Sequence, residues 1–192
     1  LDFCVVDMSS VYLDVLKEIL YVSAADARAR RSAQTTLYEI LHALTRLLAP
    51  ILSFTTEDIW HWIPAHEGKP ESVHLCSLPD VDPDWQDADL EGRWAKVFLF
   101  RQEVSKALEI ARTQKKIGHA LDAWVRVTPP EGWGEFLESF PFSLRQLCIV
   151  SEVTIEKGLE GENVFLSQEV PGLAIQVDKA RGDKCNRCWV YC

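Results

Sequence analysis

The segment Cys185-Asn186-Arg187-Cys188-Trp189, followed by Cys192, carries the residue types and spacing that could do chemistry. Two cysteines separated by two residues can place both thiolates on one tetrahedral metal ion, as in a zinc knuckle. A structural zinc normally takes four ligands, and Cys192 is the one further thiol nearby. The segment therefore reads as a zinc half-site made by Cys185 and Cys188. Cys192 is left open as a third ligand, and either a fourth ligand lies beyond residue 192 or the site here is incomplete. A thioredoxin-like redox pair needs a strand before it and a helix after it, whereas here a polar, basic segment precedes the pair. Trp189 sits beside Arg187 where little core is available, so its ring either stacks on an unstacked base or packs over a metal loop.

Other chemistry is sparse. The five histidines, His42, His61, His66, His74 and His119, are dispersed and form no Ser/His/Asp or His-x-x-x-His arrangement. His42, between Leu41 and Leu44, reads as a packed helix residue. Glu57 and Asp58 fall at a helix start, where the dipole favours carboxylates. No glycine-rich phosphate loop is present. Of the seven tryptophans, Trp60, Trp62 and Trp94 lie in apolar helical patterns and read as core or near-core. Net charge is −9, which by itself argues against a nucleic-acid partner, since such binding draws on Lys and Arg to displace counterions. The distribution argues the other way. Arg28, Arg30 and Arg31 cluster, as do Arg112, Lys115 and Lys116, and then Lys179, Arg181, Lys184 and Arg187. An acidic protein can still present a basic face, and solvated surface is the alternative for each cluster.

Composition fits an ordinary globular chain of 192 residues, 47% apolar and 26% charged. No apolar run approaches the roughly 20 residues that span a bilayer, so no membrane role is expected. The start, Leu1-Asp2-Phe3-Cys4, has neither a signal-peptide pattern nor a Met, and the chain reads as a piece of something longer. Cys4, Cys76 and Cys148 read as reduced, buried thiols of a cytoplasmic protein.

The elements that must position these residues are helical over the first two thirds. Tyr12, Val15, Leu16 and Ile19 share one helix face. Leu37, Ile40, Leu41, Leu44, Leu47, Leu48 and Ile51 repeat the pattern until Pro50 ends it. A new helix is predicted near 53–55, with Thr55 and Asp58 in capping-box spacing and Ile59, Trp60 and Ile63 inward. Residues 64–84 form a proline-rich connector. A long helix over 88–115 follows, with Leu90, Trp94, Val97, Val104, Leu108 and Ala111 inward and Gly118 as its stop. The period then changes to two at Ala123, Val125 and Val127, which predicts a strand. A short helix over 131–140 and strands over 148–156 and 173–177 complete a small α+β unit.

Several segments together resemble the C-terminal region of bacterial-type isoleucyl-tRNA synthetases, a class Ia family. The resemblance runs through Asp7-Met8-Ser9-Ser10-Val11-Tyr12-Leu13-Asp14, then Arg30-Arg31-Ser32-Ala33-Gln34-Thr35. It continues through Leu47-Leu48-Ala49-Pro50-Ile51-Leu52-Ser53-Phe54-Thr55 with Glu57-Asp58-Ile59-Trp60, and through Glu71-Ser72-Val73-His74-Leu75. It ends in Glu103-Val104, Lys106-Ala107-Leu108-Glu109, Lys116-Ile117-Gly118 and the Cys-x-x-Cys-Trp segment. Leu78-Pro79 stands where the family often has Trp-Pro, and a second cysteine pair is absent. Lys116-Ile117-Gly118-His119 differs by one residue from the His-Ile-Gly-His signature of class I active sites, but it follows a helix rather than the first strand of a nucleotide fold.

The resemblance implies a mainly α chain in three parts. Residues 1–118 would be an antiparallel helix-bundle anticodon-binding domain, with the connector at 64–87. Residues 119–180 would be a small α+β domain, and 181–192 a truncated zinc-knuckle segment. The partner would be tRNA(Ile), held at its anticodon stem-loop by Arg28, Arg30, Arg31, Lys115, Lys116, Arg187 and Trp189. Zinc would belong to the full-length protein, at a site incomplete here. ATP and magnesium would serve its catalytic domain, which with the editing domain would lie upstream of Leu1, and the full-length protein would be a monomer. This chain alone would neither activate isoleucine nor charge tRNA. Two alternatives stay open: the corresponding part of valyl-tRNA synthetase, or a helical interaction module with a zinc-ribbon end and no RNA role.

Overall fold

A computed structural model describes residues 2–159, 161 and 163–192. The chain divides into two compact units, residues 1–18 with 88–192, and residues 19–87. Helix α1 (Asp14–Val22) contains the division, and a π-helical stretch, Phe3–Leu13, leads into it.

The larger unit is built on a four-stranded mixed sheet, β1 (Ala123–Thr128), β2 (Glu152–Ile155), β3 (Val164–Leu166) and β4 (Ala174–Lys179). Their spatial order is β2-β1-β4-β3. β1 pairs with β2 in parallel and with β4 antiparallel, placing Val125 opposite Val153 and Val177. The parallel pair requires a crossover, and two short helices supply it, α5 (Gly134–Glu138) and α6 (Leu144–Cys148). The long helix α4 (Ala88–Thr113) contributes Phe100, Val104, Ala107, Leu108 and Ala111 to the same core as Val125, Val127, Ile175 and Val177. β1 alternates buried and half-buried residues along its length. Its other face and its neighbours carry Trp124, Arg126, Thr154, Glu156, Gln176 and Asp178, which bond to one another.

This overturns the expectation of a mainly α chain, an antiparallel helix bundle followed by a small α+β domain and a truncated zinc-knuckle segment. The chain is α+β, and its longest helix is one wall of a sheet core. The apolar period of α4 fixes which side chains turn inward, but it is the same whether a helix or a sheet receives them. The helix also stops earlier than Gly118. Lys115 takes a left-handed conformation, φ 57°, with Lys115 N–H bonded to Arg112 O and Lys116 N–H to Ala111 O, each at 2.9 Å. That is a Schellman cap with lysine in the position glycine usually fills.

The smaller unit holds α2 (Arg28–Leu48) and α3 (Ser53–Trp62) around Ala49, Trp60, Ile63 and Val73. Trp60 is 1% exposed and donates its Nε1–H to Pro70 O at 3.0 Å. Trp62, expected near the core, is 83% exposed, because two residues along a helix turn to the opposite side. No side-chain cap forms at the start of α3. Glu57 instead pins the connector, accepting from Ser72 Oγ at 2.9 Å and Val73 N at 3.0 Å. Among the described residues, no helix is long and apolar enough to cross a membrane.

Candidate nucleic-acid interface

In the smaller unit, Arg28 opens α2 and, like Arg31, is exposed. Arg30 is half-buried. Its guanidinium donates to Ser23 O at 3.1 Å, and its Nε is buried without a partner among the described residues. Arg30 therefore ties the preceding turn to α2, leaving Arg28 and Arg31 as the exposed cations of this triplet.

In the larger unit, residues 183–192 form a closed hairpin. Asp183 and Cys192 exchange backbone hydrogen bonds of 3.1 and 3.2 Å, and Cys185 N–H reaches Val190 O at 2.8 Å. A Cβ on Gly182 would lie 2.4 Å from Cys192 O, at φ +81°, so this entry to the hairpin requires glycine. Ser151, 5% exposed, anchors the hairpin to the sheet. Its Oγ donates to Leu121 O at 2.5 Å and accepts from Tyr191 N–H at 2.8 Å.

The hairpin's tip carries the cysteine pair. Cys185 Sγ accepts the backbone N–H groups of Cys188 and Arg187 and a bond from the Cys188 thiol, which together hold its thiol below the usual range. Donors aimed at that sulfur favour the thiolate that zinc requires, so the pair fits one half of a tetrahedral site. Cys192 is not gathered with it, and among the described residues no group of three His, Cys, Asp or Glu side chains could hold a metal. All six cysteines are free thiols. Cys148 is buried, and burial pushes its pKa up to about 12. Cys4 is exposed and Cys76 half-buried, unlike the buried thiols expected.

Trp189 follows the pair at φ 66°, left-handed and 60% exposed. Arg187 beside it is exposed. The Lys184 ammonium lies 5.6 Å from the Trp189 ring centre and 5.8 Å from that of Tyr191. A bulky residue held in a conformation that favours glycine is a strained position, and such positions concentrate at functional sites. Its ring is offered to solvent at the end of an anchored hairpin.

The first basic cluster of the larger unit meets one member of the second, Lys179. Arg112, Lys115 and Lys116 at the end of α4 and Lys179 at the end of β4 line one cavity of about 540 Å³, with Asp122 and Tyr191. Arg112 is paired with Glu109 at 2.6 Å and Lys116 with Asp178 at 2.8 Å. Lys115 and Lys179 are exposed and carry no ion pair or hydrogen bond from their side chains among the described residues. Lys116 thus serves the sheet's ion network, while Lys115 keeps its charge for solvent. The neighbouring His119 is explained locally: it caps the turn at 120–122, accepting from Leu121 N–H while Asp122 accepts from its own N–H. Lys179 and Tyr191 escaped selection as site residues from sequence. The signal for Lys179 was its membership of the last basic cluster, whereas Tyr191 carried none beyond lying next to the cysteines.

The family described as the anticodon-binding domain of tRNA ligase matches residues 1–128. Over 99% of its length the chain is 49% identical to isoleucine–tRNA ligase of Syntrophotalea carbinolica, 48% identical to that of Carboxydothermus hydrogenoformans and 40% identical to that of Natranaerobius thermophilus. It spans only 20–21% of these curated relatives. With the family match covering most of its residues, the chain belongs to the anticodon-binding domain family of tRNA ligases.

Proposed function

We propose that this chain binds tRNA(Ile) at the anticodon stem-loop, as part of an isoleucine–tRNA ligase that acts as a monomer in the cytoplasm. The observation that carries the reading is the similarity to isoleucine–tRNA ligases along nearly the whole chain. The exposed Trp189 and the cations around the larger unit's cavity give it a physical basis. On this reading the exposed Arg28, Arg31 and Lys115 neutralise phosphates, which positions an RNA without reading its sequence. Trp189, with Arg187 alongside, offers a flat surface to an unstacked base. Lys116 and Arg30 act indirectly, by holding Asp178 and the Ser23 turn. Zinc would be held by Cys185 and Cys188 together with further ligands, and when bound it would stiffen the hairpin tip that presents Trp189. Joining isoleucine to tRNA with ATP and magnesium, and editing of valine, belong on this reading to other parts of the ligase.

Equilibrium binding of the 192-residue chain to a tRNA(Ile) transcript across a salt series tests the reading. Affinity should fall steeply with salt, with a log–log slope of about −0.7 to −0.9 per phosphate contacted. Arg31→Gln should weaken cognate and non-cognate tRNA alike. Absence of salt-dependent binding would favour an interaction module without an RNA role.

A further inference from the structure

The cavity formed by the end of α4, the end of β4 and the hairpin has features that phosphate positioning alone does not require. Its volume, about 540 Å³, lies inside the roughly 300–1,000 Å³ of small-molecule pockets. Two of its cations, Lys115 and Lys179, have no carboxylate partner among the described residues, although the other two do. Lys115 is also held left-handed at the helix cap, where glycine would relieve the backbone. Tyr191, fixed through its backbone to Ser151, also lines the cavity, with the Lys184 ammonium 5.8 Å from its ring centre. Asp122, whose Oδ2 accepts His119 N–H at 2.7 Å, adds a carboxylate able to accept from a base amino or imino group. Cations for a phosphate, an aromatic side chain for a base and an acceptor for its edge are the complement of one nucleotide.

Resting on the tRNA-binding reading above, we infer that this cavity receives a single unstacked nucleotide of the bound RNA. Its phosphate lies at Lys115 and Lys179 and its base lies against Tyr191. Trp189 does not line this cavity, so the hairpin engages the RNA with two aromatic residues, Trp189 at its tip and Tyr191 at its flank.

The test is equilibrium binding of the 192-residue chain to a tRNA(Ile) transcript and, in parallel, to a blunt RNA duplex of similar charge. The variants are Lys115→Gly, Lys179→Gln, Tyr191→Leu and Tyr191→Phe, with Lys157→Gln as an exposed single-charge control. Thermal melts establish that each variant folds. Tyr191→Leu should weaken tRNA binding about tenfold, the scale of one lost base stack, while Tyr191→Phe stays within about twofold. Neither should alter duplex binding. Lys115→Gly and Lys179→Gln should each make the salt slope shallower by about 0.7 to 0.9, the loss of one phosphate contact, and Lys157→Gln should not. If the wild-type chain binds tRNA and all of these cavity variants match it, the nucleotide site is refuted and the tRNA reading stands. An equal loss on the duplex for Tyr191→Leu also refutes a base site. If the wild-type chain binds no tRNA, the underlying reading fails first.

Discussion

Replacing Trp189 by glycine separates a functional ring from a structural one. Trp189 is held at φ 66°, and a side chain in the left-handed region costs about 1–2 kcal/mol, which glycine removes. Against that, glycine gives the unfolded chain extra freedom, costing about 0.5–1 kcal/mol. The Lys184 ammonium 5.6 Å from the ring centre is also lost, an exposed cation–π contact of about 0.5 kcal/mol. With 60% of the residue already exposed, little burial is forfeited. These contributions nearly cancel, so Trp189→Gly should leave unfolding free energy within about 1 kcal/mol of wild type, as expected for surface changes. Its affinity for tRNA should nonetheless fall by about 5- to 150-fold, the equivalent of the roughly 1–3 kcal/mol carried by a stacked base. Urea unfolding and fluorescence anisotropy on the same preparations read the two quantities. A loss of stability well beyond 1 kcal/mol with unchanged affinity would refute the reasoning and make the ring a packing element of the hairpin.

Ser151→Ala removes the acceptor of Tyr191 N–H and the donor to Leu121 O. It should cost about 1–3 kcal/mol if those groups stay buried, and amide exchange in residues 183–192 should accelerate more than in β1. His42 is held below its usual 6.5 by burial, then by Arg46, His66 and Lys69, with Glu39 opposing. Between the folded value and 6.5 the unfolded chain binds the extra proton, so this contribution is present above pH 6.5 and is lost as pH falls through that window. Urea midpoints at pH 7.5 and 5.5 should show the loss, and His42→Phe should lessen it. Cys148, with its pKa near 12, should resist iodoacetamide at pH 8 in the folded chain and react once the chain is denatured; rapid labelling of the folded form would contradict its burial.

Helix spans were legible from the apolar period, but their inward faces only in part: Leu41, Leu47 and Ile51 of the longest stripe are exposed, as is Leu90 at the start of α4. Val15, Leu16, Ile19, Val97, Val104, Leu108 and Ala111 turn inward as their spacing predicts. Period-two alternation likewise marked β1. What packs against an apolar stripe is not legible in the stripe itself, and for that reason the period of α4 suits a bundle as well as a sheet. β3 has three residues and α6 has five, too few to establish a period. The helix stop was misplaced because the glycine rule pointed to Gly118, while the left-handed position was filled by Lys115. At the site, the cysteine pair and Trp189 announced themselves by type and spacing. The convergence of Lys115, Lys179 and Tyr191 did not, because it depends on how the ends of α4 and β4 and the hairpin are brought together, and that follows from strand order.

The central claim is that this chain holds the anticodon arm. Competition binding with two isolated pieces of tRNA(Ile), the anticodon stem-loop and the acceptor-arm minihelix, tests it most directly. The anticodon stem-loop should displace full-length tRNA from the 192-residue chain with an affinity near that of the tRNA itself. The minihelix should compete only at the level of a non-specific duplex. Equal competition by both pieces, or stronger competition by the minihelix, would contradict the account.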